Sequence, residues 1–295
     1  MNLAELIAAV PETEFAGPAF PRRLLGAFRR KSITFCTGLT DERTLVYWFQ
    51  SRTFTIDLRL SDGAQTPVAE RQGWIGDTVW DRAEQRMSWR VARSYQPGNQ
   101  WPEPASFSFI GNSVLEFAPS GAYVEDWRQQ STCGPLLGLR LIDILDETSR
   151  RVLVMDGGLI VAGEHMAFAL SRRPEIDDRI AGAASLAAAL GQGFVTEREA
   201  ASCEVSVASG SDAVAHSTQP DRIAAPIVLG GFALGHDGSI NLCQTVGGIP
   251  CRLRFAVDVC RHTFTFDRQT QATQAARNWM DLEQNHLSRH AAIVN

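Results

Sequence analysis

The feature that most constrains the fold of this chain is a regular series of short β-forming runs cut by turn pairs. From about Ser32, each run is rich in Ile, Val, Thr, Phe, Tyr and Trp and is followed by a pair such as "DG", "PG", "GN" or "SG". Short strands at regular spacing, without helical patterns between them, favour an antiparallel sandwich or barrel over βαβ units. The sequence therefore predicts an all-β, mainly antiparallel fold. The clearest early runs are "SITFCTG", "LVYWFQS", "FTIDLRL", "DTVWD", "RMSWRVARSY", "FSFIGN", "SVLEFAP", "AYVEDWRQ" and "LGLRLIDILD".

Three segments have helical character instead. Residues 2–9 precede Pro11, and "DDRIAGAASLAAALGQG" is Ala- and Leu-rich and ends at Gly191 and Gly193, which predicts one internal helix. The polar tail "TQATQAARNWMDLEQNHLSRH" carries an apolar stripe that includes Trp279 and Leu287. Because β runs flank the internal helix, we expect two similar β-barrel or sandwich domains in tandem. The predicted limits are 1–30 for the N-terminal helix and linker, 31–150 for the first barrel, and 151–295 for the second barrel with its internal and C-terminal helices.

Charge and hydropathy exclude several classes of partner. The formal net charge of -5 is spread along the 295 residues and gives no basic stripe, so we expect no nucleic acid partner. No apolar run approaches the ~20 residues that a membrane-spanning helix needs. The N-terminus places Glu5 in its apolar run and lacks the basic start of a secretory signal. These features predict a soluble cytoplasmic protein without membrane contact, and a homodimer is left open.

Cofactor and metal motifs are missing from the sequence. The six cysteines form no CxxC pair, and the six histidines form no HxH or HExxH pattern. We expect buried, small cysteine thiols and no metal site. The patterns GxGxxG and GxxxxGK[ST] are also absent, so we expect no nucleotide cofactor.

The stretch "LVYWFQSRTFTIDLRL", residues 45–60, holds polar side chains among bulky apolar ones. On a strand, Asp57 and Arg59 project to one face, because side chains alternate with period two. In a barrel lumen this pair could clamp a polar group of a ligand, whereas in water it is a weak surface ion pair. Trp48 and Gln50 also share a face. The buried Gln50 amide needs a partner, which is either the backbone at the hairpin turn or a ligand.

A second alternating set, Tyr123, Glu125 and Trp127, repeats this pattern near the end of the first block. A carboxyl group between two aromatic side chains is partly desolvated, which favours its protonated form and suits a general acid. The alternative is that Arg59 or Arg128 neutralises Glu125 in a structural ion pair. Together with Trp48, Gln50 and Trp89, this set would line a pocket suited to a flat, apolar or aromatic molecule.

Several of these pieces occur in a fixed order over about residues 40–130. They are "VYWFQSRTFTIDLRL", "GWIGDTVWD", "MSWRVARSYQP" and "SGAYVEDWRQ". In this order they resemble the lipocalin-like family typified by the fungal Hri protein and its bacterial relatives, which are tandem β-barrels. The chain departs from the pattern after Trp89, where Arg90 and Ser94 replace a His and an Asp. The resemblance implies an architecture and a candidate pocket, but no reaction. The matching positions are Trp48, Gln50, Asp57, Arg59, Gly76, Thr78, Trp89, Gln96, Pro97, Tyr123, Glu125 and Trp127.

These residues lead to three hypotheses for function. The first is a cofactor-independent lyase, hydratase, isomerase or cyclase with Glu125, Asp57 or His165 as acid or base. In this hypothesis the substrate-binding side chains are Trp48, Gln50, Arg59, Trp89, Tyr123 and Trp127. The second is a non-catalytic small-molecule carrier that uses the same apolar cup. The third is a scaffold that docks a partner through its C-terminal helix. We favour binding of a small apolar or aromatic molecule, with acid–base catalysis.

Overall fold

The computed structural model describes residues 1–14, 20–98, 103–287 and 289. Most of these residues belong to strands of two antiparallel sheets. The first sheet contains β1 (Gly26–Phe35), β2 (Thr40–Asp41), β3 (Leu45–Gln50), β4 (Phe54–Leu60), β5 (Gln72–Asp81), β6 (Arg86–Ser94), β7 (Ala105–Ile110), β8 (Ser113–Phe117) and β9 (Tyr123–Gln129). The second contains β10 (Cys133–Asp146), β11 (Val152–Leu153), β12 (Gly157–Ala162), β13 (His165–Leu170), β14 (Glu204–Ser209), β15 (Val214–Ser217), β16 (Gly231–Leu234), β17 (Ile240–Val246) and β18 (Ile249–Thr265).

The first sheet closes on itself. Strand β1 pairs with β3 on one side and with β9 on the other, so β1 and β3 to β9 form an eight-stranded antiparallel barrel. The short strand β2 continues from β1 outside this ring. Closure pairs the backbone groups that an open sheet would leave at its edges. The predicted mainly antiparallel β fold, with a barrel in the first block, is therefore confirmed.

The second sheet has the order β15-β14-β13-β12-β10-β18-β17-β16, with β11 attached to β10. In the described residues its end strands β15 and β16 do not pair, so the structure shows one closed barrel and a second sheet. Strand β10 pairs with β12 and β18, so Cys133–Asp146 already belongs to the second sheet. The change from one sheet to the other thus lies near residue 130, rather than near residue 150.

One apolar core joins the two sheets. On β4 the side chains of Phe54, Ile56 and Leu58 point out of the barrel and pack with Ile160 and Val205 of the second sheet. This contact explains the alternation of residues 54–60: the apolar set faces the neighbouring sheet, and the set between faces the lumen. The far side of the second sheet forms a separate core with the N-terminal helix.

The helices are short and lie outside the sheets. Asn2 caps the first of them, and Leu6 is the buried residue on its inner face. The single internal helix predicted over 177–193 is wrong: the chain forms separate short helices there, because Ser185 begins a new one by accepting a hydrogen bond from the Ala188 amide. The C-terminal helix has no buried side chain. The helices are α1 (Leu3–Ala9), α2 (Pro174–Ile180), α3 (Leu186–Gly191), α4 (Glu197–Ala200) and α5 (Gln274–Leu287).

The cysteines differ in their exposure. Cys203, Cys251 and Cys260 are buried free thiols, as expected, but Cys36 and Cys133 are exposed, as is Cys243. The expectation of burial is therefore wrong for three of the six, which lie at strand ends or on the outer face of a sheet. Among the described helices, none combines the length and apolar character required to cross a membrane.

Candidate functional site

The inward-facing side chains of the barrel converge on one small cavity. On β4 these are Asp57 and Arg59, which sit between the indoles of β3 and β5, since Asp57 pairs with Trp48 on one side and with Trp74 on the other. The same cavity collects residues from β6, β8 and β9. Its lining consists of Trp48, Asp57, Arg59, Trp74, Trp89, Glu116, Glu125 and Trp127. The structure thus brings together most of the residues that the sequence singled out.

The Asp57–Arg59 pair lies inside the barrel and not on its surface. Asp57 is 2% exposed. The Arg59 guanidinium donates to it through Nε at 2.7 Å and through Nη2 at 3.3 Å, a fork geometry that fixes both groups. The pair therefore supplies a rigid, charge-balanced polar wall. The other carboxyl groups that line the cavity are those of Glu116 and Glu125.

Two of those carboxyl groups face each other across neighbouring strands. Glu116 of β8 and Glu125 of β9 are cross-strand partners, and both are buried. Two like charges at directly opposed positions destabilise a sheet. When two carboxyls share a buried site, one of them tends to hold its proton.

Glu116 is the carboxyl that holds the proton. Burial, together with the neighbouring Glu125, raises the pKa of Glu116 to about 8, although Arg59 and two hydrogen bonds oppose the shift. Those bonds come from Trp127 Nε1 at 3.0 Å and from the Tyr123 hydroxyl at 3.3 Å. Glu116 is therefore a neutral acid near pH 7, held in place by two aromatic donors.

Glu125 is paired with Arg30, an arginine that the sequence did not suggest. Arg30 Nη1 donates to Glu125 Oε1 at 2.8 Å, whereas Arg128 binds Asp126 at 2.6 Å. A β-bulge between Arg30 and Ser32 shifts the register of β1 against β9 at this point. Bulges of this kind re-aim a side chain. Glu125 is thus the ion-paired member of the two carboxyls, with Arg30 as its partner.

Gln50 and Trp48 form a connected pair at the turn between β3 and β4. Gln50 Nε2 donates to the backbone oxygens of Ser51 and Phe54 and to Thr78 Oγ1, and its Oε1 accepts from Trp48 Nε1 at 3.2 Å. The amide is therefore satisfied by protein groups, and Gln50 does not line the cavity. Its role here is to orient the Trp48 indole.

His165 lies away from this cluster. It stands at the start of β13 in the second sheet, where its Nδ1 is 2.9 Å from Ser209 Oγ and its ring also bonds the Gln130 backbone. Burial lowers the pKa of His165, while Glu164 acts in the opposite direction. The ring thus has protein partners, and His165 does not line the barrel cavity.

The lumen is almost filled by its own side chains. The free volume is about 10 Å³, close to the space that one water molecule needs. Trp48 packs edge-on against Trp127 at 5.5 Å and stacks on Phe28 at 4.7 Å between ring centroids. The expected open cup for an aromatic ligand is therefore absent in this arrangement, and a ligand larger than water has to displace a side chain.

Trp89 is the side chain best placed to be displaced. Within the described residues, β6 pairs with β7 only at Arg86–Ser106 and Met87–Ala105, so the strand from Ser88 onward lacks a ladder partner on that side. Trp89 lies directly after this junction and is half-buried. Its buried indole N–H has no acceptor in the described part of the chain.

Glu116 and Arg30 belong to this candidate site, although their sequence patterns did not single them out. Glu116 lies in "SVLEFAP", where it shares a strand face with Val114, and a lone acid in such a position was a usable signal. Arg30 stands in "AFRRKS" beside other cations, and it shares a strand face with Phe28, which stacks on Trp48 inside the barrel. Comparison with family models, with curated proteins and with solved structures gives no match to this chain.

Proposed function

We propose that the first barrel binds a small aromatic molecule and transfers a proton to or from it through Glu116. The observation that carries this proposal is a buried carboxylic acid, neutral near pH 7, that faces an ion-paired carboxylate in a wall of indoles. A general acid works best when its pKa lies near the working pH. The reaction class is that of a cofactor-independent lyase, hydratase, isomerase or cyclase.

Charge balance in the lumen supports a neutral Glu116. The two guanidinium groups that face the cluster, Arg30 and Arg59, are already matched by Glu125 and Asp57 at 2.8 and 2.7 Å, and Arg30 also pairs with Asp41 at 2.8 Å. A third carboxylate would lie there without a cation of its own, and the burial of an unpaired charge is strongly unfavourable. The extra proton on Glu116 removes that charge and can be given to a ligand.

The ligand takes the place of the Trp89 indole. The Trp89 side chain can rotate outward where β6 no longer pairs with β7. This rotation opens a space of about one indole, next to Trp74 and the carboxyl pair. A flat aromatic molecule would stack on the remaining indoles. This accounts for a small-molecule site in a barrel that is closed when empty.

Infrared spectroscopy tests the acid directly. At pH 7 we expect a protonated carboxyl band in the wild type that is lost in Glu116→Gln and retained in Glu84→Gln, where the exposed Glu84 serves as the control. A wild-type spectrum without that band rejects the proposed proton donor.

Indole serves as the probe of binding and proton transfer. Trp89→Ala should bind indole at least tenfold more tightly than Trp80→Ala in calorimetry, because Trp80 does not line the cavity. In deuterium oxide, an acid adds a deuteron at indole C3 and the C3 proton then leaves. Trp89→Ala should accelerate this exchange, and Trp89→Ala/Glu116→Gln should bind indole without accelerating it. Binding without exchange in both variants favours the carrier function.

We also propose that the chain belongs to the Hri-type lipocalin-like family. In this proposal, the second sheet forms a second lipocalin-like domain. The matched positions Trp48, Asp57 and Trp127 support it, because they meet in one lumen. A structure of a fungal Hri protein with these positions outside its barrel lumen would contradict it.

A further inference from the structure

A second and much larger cavity lies on the second sheet, away from the barrel lumen. It has a volume of about 680 Å³ and is bounded by the end of β13, by α4 and by the turn between β17 and β18. Small-molecule sites in proteins occupy about 300–1,000 Å³. The cavity therefore has the size of a ligand site, whereas the barrel lumen in its present state does not.

Part of its wall is apolar. Met155, Leu170, Ile176 and Val246 contribute aliphatic surface, and Leu229 stands at the rim, where it is 54% exposed. Aliphatic walls of this kind bind a hydrocarbon chain or a ring through the removal of apolar surface from water. The ligand should therefore have an apolar body.

Arg222 provides a buried cationic donor on the same wall. The residue is 5% exposed, its Nε binds Glu204 Oε1 at 2.6 Å, and its Nη2 donates to the Pro226 and Ile227 oxygens at 2.9 Å. Its Nη1 is buried and has no partner among the described residues. Arg222 lines the cavity, and its guanidinium, fixed on two sides, keeps one nitrogen for which a ligand can supply the acceptor.

Two further arginines line the cavity. Arg173 is tied to Glu175 through Nη2 at 2.6 Å, but its buried Nε has no acceptor in the described residues. Arg198 is exposed on the opposite wall, where it makes no salt bridge within the part of the chain that the structure describes. Arg222 and Arg173 each have a carboxylate partner, and the lining also holds the acids Glu197 and Asp221.

We propose that this cavity binds an organic monocarboxylate, with the carboxylate on Arg222 Nη1 and the apolar body along the aliphatic wall. A carboxylate supplies the acceptor oxygens that the two orphaned arginine groups need, and a guanidinium binds a carboxylate more strongly than a neutral acceptor. A phosphate monoester carries a second negative charge, which Glu197, Glu204 and Asp221 on the same lining would repel. Octanoate is a suitable probe.

Calorimetry with a charged and an uncharged probe tests the ligand class. Octanoate should bind the full-length protein with one site and at least tenfold more tightly than octanamide, which has the same chain without the charge. Equal affinities would assign the site to neutral acyl groups and overturn the proposal, as would no octanoate binding at millimolar concentration. Tighter binding of octyl phosphate than of octanoate would also overturn it.

Matched variants locate the site. Leu229→Trp fills the rim of the cavity and should weaken octanoate binding at least tenfold, whereas Leu234→Trp, at a position 48% exposed on β16 outside the cavity, should not change it. Arg198→Gln should weaken binding about threefold to tenfold. Arg222→Lys retains the charge near Glu204 but removes the Nη1 donor, and it should abolish the preference for octanoate over octanamide.

The site is independent of the barrel acid. Glu116→Gln should leave octanoate affinity unchanged, because Glu116 lines the other cavity. If octanoate binding is lost in Glu116→Gln but retained in Leu229→Trp, the carboxylate lies in the barrel, and the proposal for the second cavity is wrong. Failure of the barrel chemistry with normal octanoate binding rejects only the function proposed for Glu116.

Discussion

Glu116 and Glu125 occupy opposed positions on two neighbouring strands, and their surroundings separate their chemical roles. Glu125 accepts from Arg30 at 2.8 Å, whereas among the described residues Glu116 accepts from the neutral groups of Trp127 and Tyr123. Pairs of acids whose environments differ in this way are a common basis for acid–base chemistry. We therefore expect the Glu116 carboxyl to be the group that exchanges a proton with a ligand.

Glu116 should make the stability of the protein depend on pH. Its folded-state pKa, about 8, lies above its ordinary value of 4.5, so between these values the unfolded chain ionises while the folded one keeps its proton. Stability therefore falls as pH rises through this window. Relative to Glu116→Gln, we expect wild type to lose at least about 1 kcal/mol of unfolding free energy between pH 5 and pH 8 in urea titrations. Glu84→Gln should keep the wild-type dependence, and identical slopes for all three proteins would contradict the protonated acid.

Arg30 should be needed for the stability of the fold, because it is the ion-pair partner of the buried Glu125. Arg30→Met leaves a buried carboxylate without its partner and should lower the unfolding free energy by about 3–5 kcal/mol. The double variant Arg30→Met/Glu125→Gln removes both buried charges and leaves only the more exposed Asp41, the second partner of Arg30 at 2.8 Å, so it should recover at least about half of that loss. Urea titrations of the two single variants and the double variant measure the coupling. Strict additivity of the single effects would show that the two groups do not interact.

At the scale of elements, the hairpin between β3 and β4 is held from outside its own sheet. Asp258 is the extra residue of a β-bulge in β18, and its carboxylate accepts from Ser51 Oγ at 2.5 Å and from the amides of Arg52 and Thr53 at 2.8 and 3.1 Å. Gly138 on the facing strand permits this approach, since a Cβ there would lie 2.0 Å from Ser51 Oγ. The second sheet therefore fixes the turn that carries Trp48 and Gln50 into the barrel.

Removal of this carboxylate should loosen the hairpin. Asp258→Ala takes away the acceptor of two backbone amides, so we expect the amide hydrogens of Arg52 and Thr53 to exchange at least tenfold faster, with a stability loss of about 2 kcal/mol. Hydrogen exchange followed by NMR measures both amides. Asp237→Ala, which removes a similar cap from Ser239 in another turn, is the matched control. Unchanged exchange at residues 52 and 53 in Asp258→Ala would refute the clamp.

At the scale of the whole molecule, the barrel and the second sheet share a core and polar links. Arg172 is 1% exposed and donates to the Ser94 and Tyr95 oxygens of the β6 end and to the Ala200 oxygen of α4. The apolar contact is close enough that Gly73 of β5 lies against Val205, where an added Cβ would be 2.8 Å from Cγ2. The two sheets should therefore unfold together.

Overpacking of that contact tests the shared core. Gly73→Val forces Val205 to move and should destabilise the protein by about 1–3 kcal/mol, whereas Gly182→Val, at a position with open space, should have little effect. Tryptophan fluorescence reports on the barrel, and far-ultraviolet circular dichroism reports on both sheets, so their urea midpoints should shift together. Separate midpoints would show that the sheets unfold independently. The barrel tryptophans are Trp48, Trp74, Trp80, Trp89 and Trp127.

The sequence alone determined the strand content and the alternation within each strand, because both depend on near neighbours in the chain. It placed Asp57 with Arg59 and Glu125 with Trp127 on common faces, and the lumen shows both sets. It also located α1 closely, since Asn2 and Pro11 bound it locally. The single internal helix failed because a local cap at Ser185 divides the segment.

Only the tertiary structure decided which strand face became the lumen and which carboxyl kept the proton. Arg30 and Glu125 are 95 residues apart, and the pairing of β1 with β9 brings them together. The sequence showed that one face of β4 is apolar but not what it packs against, and the structure packs it against the second sheet. Burial and the opposed acid on the next strand raise the pKa of Glu116. Both are long-range effects, and period-two alternation within one strand does not encode them.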